Sequence, residues 1–148
     1  MSAGLKAIAL ALAALMMTLA VASCSSGETE TLQFPVASSP ELVQTGAEIY
    51  AANGVTCHGD STGRDRQFNA PTHNSEGHTW HHPDRLLYQW VLDGPPLKTV
   101  MPAFRGQLSD EEVLAVIAYI KTFWTDEIVQ YQNEGSRQYE EQVREFGQ

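Results

Sequence analysis

Apolar residues recur at helical spacing in three stretches of this chain, and nowhere do they alternate convincingly in the strand period of two. The first stretch opens at Ser39-Pro40-Glu41, where a serine caps, a proline suits the first turn and a carboxylate faces the positive end of the helix dipole. Leu42, Gly46, Ile49 and Tyr50 then share one face, and Asn53-Gly54 predicts the end. Gly46 in that stripe costs about 1 kcal/mol of helix stability against alanine, so another helix is expected to cross it closely. A second helix is predicted from Pro83-Asp84, with Leu87, Trp90 and Val91 as its apolar side and Asp93-Gly94-Pro95-Pro96 as its stop. The third has the clearest start: Ser109 caps it, Glu112 completes a capping box, and Leu108 can staple onto Val113. Val113, Val116, Ile117, Ile120 and Trp124 form its stripe, with Leu114 at the edge. A further helical segment begins at Thr125-Asp126-Glu127. It is expected to be interrupted at Gly135 and to fray near its end, with Ile128, Tyr131, Tyr139, Val143 and Phe146 as weaker markers. Between these elements, Asp60 to Glu76 reads as a long loop, and the prolines keep Leu97 to Met101 irregular. The fold class is all-α.

The N-terminus departs from this pattern. Residues 1–23 read as an export signal, with Lys6 ahead of a run of apolar residues from Ala7 to Ala22 that is short for a membrane span. Val21-Ala22-Ser23-Cys24 resembles the lipobox of bacterial lipoproteins, so cleavage before Cys24 and its acylation are expected to anchor the chain to a membrane. Residues 24–38 read as a polar, flexible tether, 39–124 as the folded domain, and 125–148 as a C-terminal helical extension. Loss of Lys6 with the signal takes the net charge from −9 to −10. So acidic a chain is not built to neutralise phosphates, and nucleic acid is not an expected partner. The chain has two cysteines; with Cys24 lipidated, Cys57 is left without a disulfide partner and with need of another purpose.

That purpose is suggested by Gly54-Val55-Thr56-Cys57-His58-Gly59. A c-type haem attachment site reads Cys-x-x-Cys-His, and Gly54 stands where its first cysteine would be. An electron carrier needs two iron ligands that stay in place through the redox change, and a histidine with a methionine sulfur favours the reduced state. Met101-Pro102 suits the second position, because the proline limits the backbone at Met101.

From roughly Pro40 to Trp124 the chain resembles the small class I c-type cytochromes of bacterial envelopes. The resemblance is carried by Gly46 and Tyr50, Asn53 through Gly59, Pro71, Met101-Pro102-Ala103-Phe104, and Leu108-Ser109-Asp110-Glu111-Glu112 leading to Ala118-Tyr119-Ile120. It implies a cytochrome c-like fold of three to four core helices around one haem with long loops. The first helix would cross the last core helix near Gly46, with Tyr50 and Tyr119 beside the crossing. It also implies one haem c per chain, held by a single thioether at Cys57, with His58 and Met101 as axial ligands. The Pro71 carbonyl would accept from the ring N–H of His58, and Trp80 would reach a propionate. The departure at Gly54 leaves one vinyl group unsaturated, as in the minority class of single-thioether cytochromes.

The expected function is therefore a membrane-tethered electron carrier, facing the periplasm or cell exterior, that passes single electrons between redox proteins of the envelope. No carboxylate pair, Ser-His arrangement or phosphate-binding glycine loop argues for hydrolytic or transferase chemistry. The alternative is a degenerate cytochrome-fold lipoprotein. It would bind haem without a covalent bond, take a metal such as copper through His73, His78, His81 and His82, or serve only as a binding or structural protein.

Overall fold

Five α-helices and one 3-10 turn make up the regular structure of the computed structural model, which describes residues 32–96 and 100–147. In chain order they are α1 Pro40–Asn53, α2 Val55–His58, the 3-10 turn Thr79–His81, α3 Asp84–Asp93, α4 Asp110–Lys121 and α5 Asp126–Phe146. The export signal 1–23, the lipidation position Cys24 and the first part of the tether lie outside the described residues. Among those described, no strand forms and no helix is long and apolar enough to cross a membrane.

Local chemistry sets the helix starts. Ser39 Oγ accepts the Leu42 N–H at 3.1 Å with Pro40 in the first turn of α1. At α4, Ser109 Oγ accepts the Glu112 N–H at 3.2 Å while the Glu112 carboxylate accepts the Ser109 N–H at 2.7 Å, a complete capping box.

α1 and α4 cross at Gly46. A Cβ on Gly46 would overlap the carbonyl oxygen of Ala115 and stand 2.8 Å from Tyr119 Cβ, so only glycine lets the two backbones approach this closely. Beside the crossing, the Tyr50 and Tyr119 rings meet at 5.5 Å. α4 carries apolar residues on two sides. Val113 and Ile117 pack with Leu87 and Leu92 of α3, while Val116, Ile120 and the following Trp124 pack with Tyr50.

Two expectations change. Residues 32–36 do not behave as free tether: Val36 is buried, and Leu32 and Phe34 pack on the same cluster as α3 and α4. All three reach the cluster across a bend at Phe34-Pro35, whose peptide bond is cis. α5 is also unbroken, running through Gly135, which is exposed with open space around it. Its buried residues are the polar Gln132 and Ser136, whereas the apolar markers Tyr131 and Phe146 are exposed.

The reason is Asp84, whose side chain is fully enclosed. Its Oδ2 accepts from Val36 N–H at 2.7 Å and Lys121 Nζ at 2.5 Å, and its Oδ1 accepts from Gln132 Nε2 at 2.6 Å. Its backbone N–H donates to Ser136 Oγ at 3.0 Å. One carboxylate thus joins the leading segment, α3, α4 and α5. Burial pushes the Lys121 amine below the ordinary lysine range, opposed by the charge of Asp84 and its hydrogen bond. At the rim, Arg85 donates to both Glu140 oxygens at 2.7 and 2.6 Å.

Candidate haem site

α1 passes into α2 with almost no break. The Gly54 N–H donates to Tyr50 O at 2.8 Å, and Gly54 O accepts from Cys57 and His58 N–H at 3.0 and 2.9 Å. Gly59 then turns the chain sharply at φ 78, in space where a Cβ would overlap the Arg64 carbonyl oxygen. Tyr50 closes the turn by donating its hydroxyl to Gly59 O at 2.8 Å. Burial first, then Tyr119 and Asp60, push this phenol above its ordinary range, so it stays protonated and keeps donating. The Tyr50 ring also covers Gly54: a Cβ there would stand 2.7 Å from Cδ2 and 2.8 Å from Cε2.

Cys57 is a half-buried free thiol. His58 beside it is 8% exposed, and its Nδ1 lies 2.8 Å from the Pro71 carbonyl oxygen. A carbonyl only accepts, so the ring proton sits on Nδ1 and the lone pair of Nε2 is left to bind a metal. Burial lowers the His58 pKa, with the Pro71 bond opposing, so the imidazole is held in the neutral form that ligation requires.

The structure adds a neighbour that spacing did not single out. The His73 ring stacks on His58 with centroids 4.2 Å apart and planes inclined by 26°. Its Nδ1 lies 2.7 Å from Thr79 Oγ1, and its backbone oxygen accepts the Trp124 indole N–H at 2.6 Å. Burial and then His58 push the His73 pKa down to about 3. In the sequence, His73 stands closer to His78, His81 and His82 than to His58, and nothing in its position foretells the stack.

Met101 is half-buried on the segment between α3 and α4. That segment is tied to the end of α3 by Phe104 N–H to Val91 O at 3.1 Å and Arg105 N–H to Leu92 O at 2.9 Å. Arg105 also forks onto both Asp93 oxygens at 2.6 and 2.8 Å. Leu97 to Thr99, which precede it, lie outside the described residues. Trp80 donates its indole N–H to Ser75 O at 3.1 Å and lies flat on His81 at 3.7 Å.

His78, His81 and His82 gather beside Trp80, with His78 4.5 Å from His81 and 5.0 Å from His82 between ring centroids. His73 does not join them, and among the described residues no three His, Cys, Asp or Glu side chains converge to hold a metal ion. The copper alternative therefore gains no support from this geometry.

A neutral histidine, an adjacent thiol and a methionine are the donor types that haem c takes. The family model described as cytochrome C oxidase, cbb3-type, subunit III matches residues 41–120, more than half of the 148-residue chain, and the chain belongs to that family. No solved structure is significantly similar to it. The cytochrome c domain accordingly supports a haem-binding, electron-transfer role.

Proposed function

We propose that this chain is a membrane-tethered monohaem c-type cytochrome that passes single electrons between redox proteins of the bacterial envelope. Cys57 forms its one thioether, His58 and Met101 ligate the iron, and Cys24 carries the lipid anchor. Haem supplies the one-electron couple when bound; the chain's own residues hold it and shield it from water. The observation that carries this reading is the hydrogen bond from His58 Nδ1 to Pro71 O at 2.8 Å, which commits the ring to the tautomer that can ligate through Nε2. The single thioether is supported by Gly54, whose missing side chain leaves room for the Tyr50 ring. Leu32, Phe34 and Val36 pack on the domain, so the proposed tether is shorter than the polar stretch suggests. The matched family is described as an oxidase subunit, so a terminal oxidase is the first partner to test.

Redox titration of the purified haem-loaded protein tests the carrier reading. A reversible one-electron couple with a six-coordinate spectrum in both states is expected, and Met101→Ala should open one axial position in the reduced form and lower the midpoint potential. A vacant axial position in the unaltered protein overturns the assignment.

A further inference from the structure

We propose that His73 is a positioning residue for His58, holding the plane of that imidazole at one orientation. The inference rests on the reading of His58 as an iron ligand. The Pro71 carbonyl restrains rotation of the His58 ring about its Cβ–Cγ bond through a single hydrogen bond at Nδ1, and one hydrogen bond still lets the ring tilt. His73 removes this freedom, because its ring lies on the His58 face at 4.2 Å and a swivel of either ring meets the other.

His73 is itself held firmly. Thr79 Oγ1, on a residue only 7% exposed, lies 2.7 Å from its Nδ1. The buried Trp124 indole holds its backbone at 2.6 Å, and the Tyr50 ring stands edge-on 6.0 Å away. An aliphatic side chain of similar size would fill the same space, yet it could not bond Thr79 and would leave the stacked face free to slide. The segment Pro71–Thr79 therefore grips His58 twice, at its nitrogen through Pro71 and at its face through His73. Partners of this kind around a ligating histidine fix its ring orientation and tune the metal.

The plane of an axial imidazole sets the splitting of the iron d orbitals that low-spin ferric EPR reads. The test compares the haem-loaded wild-type protein with His73→Leu and Thr79→Val, after each has been checked for retained haem. In His73→Leu the low-spin signal should broaden or split into more than one species, with displaced g-values. Thr79→Val, which keeps the His73 ring and removes its anchor, should displace them in the same direction by less. Loss of packing alone, with His58 still held in one plane, would leave the g-values where they are. Signals from both variants that superimpose on the wild type overturn the proposal. Should His73→Leu fail to accumulate, Thr79→Val decides alone on the same criterion. A wild-type protein that retains no haem overturns the reading of the site and this inference with it, whereas haem retention with unmoved g-values overturns the inference only.

Discussion

At the scale of single residues, the site depends on imidazoles kept neutral by burial. His73 has a folded pKa of about 3 against an ordinary value of 6.5. Between those values the unfolded chain binds a proton that the folded chain refuses, so stability is complete above about pH 6.5 and falls as the solution becomes more acidic. The groups that face His73 are the His58 ring and the Tyr50 edge, and Tyr50 stays neutral throughout this range. Denaturant unfolding of the haem-loaded protein should lose stability through this histidine as the pH falls from about 6.5 towards 4. His73→Leu should show a shallower slope, and equal slopes in the two proteins would contradict the assignment. Cys57, His58 and Met101 stand out as candidates in the sequence because each sits in a short local pattern. The His58–His73 stack was not, because it forms only when the loop from Gly59 to Thr72 closes on itself, and no periodicity encodes that closure.

At the scale of elements, caps and stripes were readable for the same reason. Ser39, Ser109 and Glu112 act on residues within one turn of themselves. Gly46 was readable because a glycine in an otherwise helical stripe costs stability unless a neighbour approaches closely, and Ala115 does. α5 was read poorly because its inward face is polar. Gln132 and Ser136 resemble solvated positions until Asp84, some fifty residues earlier, is seen between them. The same carboxylate holds Val36, which is why Leu32 to Val36 pack on the domain and do not behave as free tether. Removing one partner from a buried charge pair leaves the other charge uncompensated, at a cost of about 3 to 5 kcal/mol. Asp84→Asn should accordingly destabilise the protein by about 3 kcal/mol in chemical denaturation. Asp84→Asn combined with Lys121→Met should recover part of that loss. A single-variant cost below about 1 kcal/mol would mean that α5 docks by other means.

At the scale of the whole molecule, the matched family covers 41–120, which takes in α1 through nearly all of α4. The leading segment and α5 lie outside that match, and both are fastened through Asp84 to the domain that carries His58 and Met101. The molecule therefore joins a cytochrome c domain to a brace on the side of α3 and α4. On the proposed reading one cysteine, Cys57, holds the haem, with Gly54 at the position of the other. The most direct measurement expresses the chain in a host with haem-attachment machinery, extracts the protein with acid acetone and records the pyridine haemochrome of the pellet. Haem that stays with the protein, with its band shifted as one unsaturated vinyl group requires, is the predicted result. Haem that leaves with the solvent, or a pellet with none, would contradict attachment at Cys57.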